Sequence, residues 1–362
     1  MTSSEGRTCD ILISGTGYYA EIMLGDLAAV ARTPLHIVVG GRNRERLKWL
    51  VEACRARTQI YGTRATFDSV LLDSSSADAL MEPLGALRPK VVVQSASMQS
   101  PWKVDNNSSD WSRLVSAAGF GITIAFHSLL AFRMSTAIKK LGLNSHFVNT
   151  CYPDGVNQVI AAAGLPLTTG VGNIGIFSAV IGGRLPFEQR AQLRVLAHHH
   201  HIVQWRKPGT ERTGAPVRAW IGDEEIADVD GMTRDVQLPY RDLNLISGAC
   251  AVPVLLALAG EGKRRVHVPG PHGLTGGYPV MADETGVTLD LPKGLTREEA
   301  IAWNQQFEVE DGVSVRNGRV VYSERAQELL RKHSPDLAAG FAVGDVEAAA
   351  AELAALRESM GG

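Results

Sequence analysis

Cysteine is scarce and scattered in this chain. Four residues, Cys9, Cys54, Cys151 and Cys250, stand far apart, which excludes both a disulfide framework and the paired spacing of a zinc site. Charge of one sign is also lacking. The 36 Lys and Arg against 38 Asp and Glu leave a net charge of −2, so no basic field draws nucleic acid. No apolar run approaches the roughly 20 residues of a membrane span, and Met1-Thr2-Ser3-Ser4-Glu5 lacks the charged-then-apolar order of a signal peptide. These absences lead us to expect a cytoplasmic protein with reduced thiols, whose partner is a small molecule and neither nucleic acid nor a membrane.

What is present is a large core. At 362 residues, 45% hydrophobic and 20% charged, the chain exceeds one ordinary domain, and two are expected. The organising stretch is Ile11-Leu12-Ile13-Ser14-Gly15-Thr16-Gly17-Tyr18-Tyr19-Ala20. A short apolar strand stops at glycines spaced G-x-G-x-x-A, and a helix-compatible segment, Tyr19 to Val30, follows. Gly15 permits the tight turn, Gly17 lets the backbone approach a pyrophosphate, and Ala20 allows close helix-sheet packing. The unpaired N–H groups of the helix start then bind phosphate. Leu35 to Gly41 reads as the next strand and completes a strand-helix-strand unit.

The tip of that second strand speaks to the cofactor. An NAD site places an acid there for the ribose 2′-hydroxyl, and an NADP site offers cations to a 2′-phosphate. Here Gly41-Arg42-Asn43-Arg44-Glu45-Arg46 has no acid at the tip. NADP(H) is therefore favoured over NAD(H), with Arg42, Asn43 and Arg46 as candidate contacts; the bland alternative is that the arginines only solvate a helix start.

Further along, strands are expected at 65–72 and 90–97, with helices at 44–57 and 76–87. Ser95-Ala96-Ser97 ends the fourth strand with small polar residues, where a nicotinamide ribose would pass or an ordinary loop would sit. Pro101 to Asn107, with Trp102 and Lys103, reads as a lid-like loop, and Gly121 to Ala125 as a fifth strand. After a strand at 145–150 comes a second polar concentration, Cys151-Tyr152-Pro153-Asp154-Gly155-Val156-Asn157. Asp154 either faces the catalytic cleft or caps the following helix, the cap being favoured, while Asn149, Tyr152, Asn157 and Asn173 are candidate substrate contacts.

The internal run His198-His199-His200-His201 follows an apolar stretch. Read as a strand, it places His199 and His201 on one face. A histidine beside a nicotinamide suits proton donation to a carbonyl oxygen, so His199 and His201 are the catalytic candidates. Imidazoles two apart also suit zinc, but no third ligand sits at an obvious spacing, and no metal is expected. Val217 to Ile226 reads as a hairpin that Val236 to Leu238 extends, and Asn244 to Leu258 as a buried helix. The Gly- and Pro-rich stretch Pro269 to Pro279 implies a sharply shaped loop, in which His272 and Tyr278 are candidate substrate contacts. Thr296 with Glu299 fits a capping box, Asn317-Gly318 a hairpin turn, and Val346 to Met360 a helix that packs back on the first domain or on a second subunit.

The segments Ile11 to Ala20, Val39 to Asn43 and Val91 to Ala96 resemble the Rossmann domain of saccharopine-dehydrogenase-like oxidoreductases. The resemblance covers about the first 150 residues and implies a two-domain NAD(P)-dependent enzyme with its site between the domains. A looser likeness to lactate and malate dehydrogenases rests on Val148-Asn149-Thr150 with Pro153-Asp154 and on the position of the histidine run. Gly172 to Phe177 lacks the Asp and Arg those enzymes carry on the following helix, so neither their aspartate-histidine pair nor 2-oxoacid specificity carries over. The expected fold is α/β: a doubly wound parallel Rossmann sheet in 1–150, an α+β substrate and dimerisation domain in 151–335, and a helical tail in 336–362. The expected activity is NADP(H)-dependent hydride transfer to or from C=O or C=N of a small polar metabolite, in a homodimer. Rival readings are a homospermidine-synthase-like transferase with NAD as a prosthetic group, and a non-enzymatic NADP(H) sensor.

Overall fold

The computed structural model describes residues 9–99, 109–239 and 242–362; the lid-like loop expected at Pro101 to Asn107 lies outside them. Six parallel strands form the central sheet: β1 (Ile11–Ser14), β2 (His36–Gly41), β3 (Thr66–Leu71), β4 (Val91–Gln94), β5 (His146–Asn149) and β6 (Thr169–Gly170). Their spatial order is β3-β2-β1-β4-β5-β6, the order of two mononucleotide-binding halves joined at a switch point between β1 and β4.

Alternation along the strands covers both faces. Leu12, Val38, Val92 and Phe147 point to one side, into a core with α3 (Ala77–Leu87), helix Ile124–Lys140 and the tail helix Val346–Ser359. Ile11, Ile13, Ile37, Val39, Val91 and Val93 point to the other, against α1 (Tyr18–Val30), α2 (Arg44–Tyr61) and helix Asn244–Ala259. Burial on both faces is why these strands are nearly continuous apolar runs. The helix pair α1 and Asn244–Ala259 packs closely through Gly248, whose added Cβ would stand 2.8 Å from Ile22 Cγ2.

The remainder is α+β, with three small antiparallel sheets. Strand β6 carries the parallel sheet to Gly170, past the boundary expected at 150. The C-terminal hairpin (Val313–Arg316 with Arg319–Tyr322) and the tail helix share the core of helix Ile124–Lys140, so the tail at 336–362 is part of the first core. The capping box at Thr296 and Glu299 forms, and Asn317 and Gly318 take the positive φ values their hairpin turn requires.

Three local expectations are corrected. Gly121 to Ala125 is not a strand: a 3-10 turn at Phe120–Thr123 runs into helix Ile124–Lys140. A helix buried on nearly every side shows no periodicity, so a short apolar run within it reads as a strand. Against the expectation that no run is long enough, Phe120–Lys140 is by length and composition able to cross a membrane, but 78% of its most apolar 18-residue window is buried within the fold. The histidine run is likewise not a strand. The strand stops at Leu196, and His200–Trp205 is helical, with His201 N bonded to His198 O and Ile202 N to His199 O. Finally, Leu238 N bonds to Trp205 O, which holds 236–238 as a connector outside the 218–225 hairpin.

Candidate active site

The carboxyl ends of β1, β4, β5 and β6 gather the polar chemistry. At β1, Gly15 has φ +136°, and an added Cβ would press on Ala96 N and Ser95 C, each at 3.2 Å. The β1 and β4 termini approach this closely only through a residue without a side chain. Gly17 is the N-cap of α1, with φ −77° and ψ 178° and no side chain capping the helix. An added Cβ there would meet nothing within 4 Å. The first-turn amides of Tyr18, Tyr19 and Ala20 thus have no capping side chain, and no atom fills the space over Gly17. Ala20 is fully buried, Tyr18 is exposed, and Tyr19 donates its hydroxyl to Ser247 O at 2.9 Å, across the interface of α1 with helix Asn244–Ala259.

Around the tip of β2, the three candidate residues divide. Asn43 caps α2 by accepting from Arg46 N at 2.9 Å. Arg46 donates to Thr16 O at 3.2 Å and pairs with Glu21 at 2.6 Å, bracing the glycine turn. Arg42 is exposed and beside Asp73, whose carboxyl is lowered mainly by hydrogen bonds from Ser75 and further by Arg42 and Arg133. A hollow of ≈ 480 Å³ is lined by Thr16, Arg42 and Asn43.

Across the sheet, His199 meets an acid that lies far away in sequence. Its Nδ1 stands 3.1 Å and 3.3 Å from the two oxygens of Asp311, at the end of the short helix Glu308–Asp311. The side chain of Asp311 is 6% exposed and that of His199 20%. Burial alone pushes the His199 imidazole down, but the Asp311 carboxylate, assisted by Asp154, outweighs it and the net shift is upward. Burial opposes ionisation of Asp311 too, yet His199, with His198 and His200, brings it down to about 2. The two shifts run in opposite directions, as expected of a histidine and a carboxylate that stabilise each other's charged forms through Nδ1.

Aromatic rings frame it. Tyr152 lies 5.1 Å and Phe120 5.8 Å from the His199 ring. The Tyr152 hydroxyl donates to Asp311 at 3.3 Å, and burial followed by the carboxylates raises its pKa. The His127 ring lies 5.1 Å from that of Phe120, and burial pushes its pKa down to about 3. Asp154 accepts from His199 N at 3.3 Å and from the Asn173 amide. Ser95 Oγ, His127 Nε2 and Asn173 Oδ1 are buried without a partner among the described residues. Each such atom costs about 1–3 kcal/mol unless water or a ligand satisfies it.

The other sequence candidates make contacts within the fold. His201 is buried, bonds His198 O and Ala215 O, stacks on Trp303, and is pushed down to about 3 by burial. It shares no face with His199, because the helical turn replaces the strand alternation. Asn149 and Asn157 are fully buried and spend their amides on each other, on Cys151 and on Gly270 O. Ser97 donates to Gln99 O at 2.6 Å. His272 is exposed, with Nε2 2.9 Å from Val287 O, and Tyr278 is fully buried, donating to Thr275 O at 2.7 Å. Of the two readings of Asp154, the cap is not the one seen: Tyr152 stands at the N-cap, and Asp154 lies against the His199 main chain. Asp311, Phe120 and His127 had no signal of their own in the sequence. The nearest clue is glycine: a Cβ on Gly121 would stand 2.5 Å from Asp311 O, so Gly119 and Gly121 admit the turn that carries the acid.

This is the Rossmann arrangement. No family model matches the chain, and no curated protein matches it. Among solved structures, the chain is similar to minor L-lactate dehydrogenase from Enterococcus mundtii, with 11% identity and a TM-score of 0.49 over 83% of this chain and 96% of that one. It is similar too to lactate dehydrogenase from Eimeria maxima with NADH and oxamate, with 13% identity and a TM-score of 0.49 over 84% and 95%.

Proposed function

We propose that this chain is an NADP(H)-dependent oxidoreductase that moves hydride to or from C=O or C=N of a small polar metabolite, with His199 as the proton donor and acceptor. The observation that carries the reading is the buried His199–Asp311 pair, at 3.1 Å, on the same sheet edge as the uncapped glycine turn. Sites in such sheets lie beyond the strand carboxyl ends at the switch point. The glycine turn fits a pyrophosphate: Gly15 admits the close approach of β4, and no Cβ fills the space over Gly17. Arg42 would take the 2′-phosphate, and the Ser95 hydroxyl would face the nicotinamide ribose.

When bound, the nicotinamide supplies or accepts the hydride. The chain's own part is the proton. Asp311 keeps His199 protonated and fixes its ring through Nδ1, so Nε2 presents the proton to the substrate heteroatom. Phe120 and Tyr152 keep water from the ring and hold it in a low-dielectric setting, where the charge pair acts more strongly. Asp154 holds the His199 main chain.

Fluorescence titration with NADPH and NADH, on the full chain and on Arg42→Ala and His199→Gln, tests the reading. NADPH binding is expected to weaken by at least about tenfold in Arg42→Ala and to survive in His199→Gln. NADPH oxidation against a panel of carbonyls and imines is then expected to vanish in His199→Gln. Binding of neither nucleotide would defeat the proposal, and a preference for NADH would defeat its 2′-phosphate part.

A further inference from the structure

Tyr152 is held in a backbone conformation that a tyrosine seldom adopts. It has φ 43° and ψ 58° and stands immediately before Pro153. The left-handed region crowds a Cβ, and a following proline steers the residue before it toward extended backbone. Asn149, at the end of β5, imposes the turn: its Oδ1 accepts from Cys151 N and its Nδ2 donates to Cys151 O, each at 3.0 Å. Strain of this kind persists only where the surroundings over-determine it, and it gathers at functional sites.

The side chain shows what the turn achieves. Tyr152 is buried, and its ring lies edge-on to both His199 and Phe120, with centroids 5.1 Å from each. Its packing depends on Gly155, where an added Cβ would stand 2.8 Å from Tyr152 Cε1. The hydroxyl then donates to Asp311 Oδ2 at 3.3 Å, and the same oxygen is the one nearer to His199 Nδ1, at 3.1 Å. Burial, followed by the Asp311 carboxylate, raises the Tyr152 pKa, so the hydroxyl keeps its hydrogen wherever His199 titrates. Two donors thus meet on one carboxylate oxygen. Charge drawn toward the phenol hydrogen is charge withheld from the imidazole proton.

The other titratable groups around the pair come from separate elements. Asp154, in the first turn of helix Pro153–Ala162, favours the charged imidazole, and Arg206 opposes it. His127, on helix Ile124–Lys140, and His200 also lie in its field. On the side of the acid, His198 Nδ1 lies 3.8 Å from Asp311 Oδ2, and Glu308 pairs with Arg316 at 3.7 Å. Removing the Tyr152 hydroxyl alters none of these charges.

We propose that Tyr152 is a positioning residue that sets how firmly His199 holds its proton, by sharing Asp311 Oδ2 with the imidazole through its hydroxyl. The proposal rests on His199 being the proton-transfer residue of the site. Asp311 favours the protonated ring, and Tyr152 moderates that hold so that the proton can leave as well as stay.

The test is NMR titration of the His199 imidazole resonances, identified by their loss in His199→Gln, in the full-length chain and in Tyr152→Phe. Phenylalanine keeps the ring and removes only the hydroxyl. The His199 pKa is expected to rise by about 0.5–1 unit in Tyr152→Phe, and the alkaline limb of NADPH oxidation to move up with it. An unchanged or lowered His199 pKa would overturn the proposal. Should Tyr152→Phe fail to fold, Gly155→Ala decides: its methyl displaces the ring from Asp311 while the hydroxyl remains, and the same upward shift is expected, with no shift or a fall counting against the proposal. The resonances are read without nucleotide, so failure of wild type to bind NADPH would defeat the oxidoreductase reading and leave the result for Tyr152 standing.

Discussion

Replacing Asp311 by Asn probes the pair on which the site depends. The change keeps size and hydrogen-bonding capacity and removes one charge. In the folded protein Asp311 titrates at about 2, against about 4 in an unfolded chain, and a gap near two units corresponds to about 3 kcal/mol. The rise at His199 reports the same interaction from its other end, so it is counted once. The signs define the pH window. A depressed carboxyl contributes stability above about pH 4 and loses it as the pH falls toward 2. A raised histidine contributes below about pH 6.5 and loses its share as the pH rises through the folded value. The interval from about 4 to 6.5 is where both are charged in the fold and the pair contributes most. Denaturant unfolding at pH 5.5 should therefore show Asp311→Asn less stable by about 3 kcal/mol, a difference that shrinks toward about 1 kcal/mol, the worth of a neutral hydrogen bond, as the pH rises through the folded value of His199. With its counter-charge gone, burial governs His199, and its imidazole resonances should titrate below the ordinary range. NADPH oxidation should fall by about 10² or more, with its alkaline limb moved to lower pH. Equal unfolding midpoints at pH 5.5, or a larger loss at pH 9 than at pH 5.5, would refute the pairing.

Gly17→Ala should leave the melting temperature unchanged, because its backbone is extended and an added Cβ meets nothing within 4 Å, while NADPH affinity in the fluorescence titration drops at least about tenfold. Gly15→Ala should lose both: at φ +136° the new Cβ faces Ala96 N and Ser95 C at 3.2 Å, for a cost of about 1–3 kcal/mol in denaturant unfolding. Burial holds His127, His201 and His267 at about 3 in the fold. The unfolded chain takes up protons at these residues below about pH 6.5, so each removes about 2 kcal/mol of stability by pH 5. The melting temperature should fall steeply over that range, with a shallower fall in His127→Phe.

Where neighbours in sequence are neighbours in space, the sequence was readable. The glycine turn, the capping box at Thr296, the Asn317-Gly318 hairpin and the buried helix at 244–259 each follow from local backbone chemistry that no distant contact overrides. The saccharopine-dehydrogenase-like resemblance lies in Ile11 to Ala20, Val39 to Asn43 and Val91 to Ala96, segments that any sheet of this order needs for its core and its phosphate turn. That likeness therefore conveys the fold more than the substrate.

The histidine run marks where local reading ends. Four successive imidazoles fit a strand or a helix equally well, and only packing decided: Trp303, Phe307 and Ala215 O claim His201, while Phe120, Tyr152 and Asp311 claim His199. The asparagines show the same division, since Asn149 bonds to Asn157, and Asn157 in turn donates to Gly270 O, more than a hundred residues on, tying the loop down. By itself the sequence determined a parallel sheet with a glycine turn between its first strand and helix, because strand period, glycine spacing and helix caps are short-range. Only the tertiary structure decided which acid serves His199. Asp311 lies 112 positions away in sequence, and its carboxylate is brought to the ring by a turn that Gly119 and Gly121 leave room for.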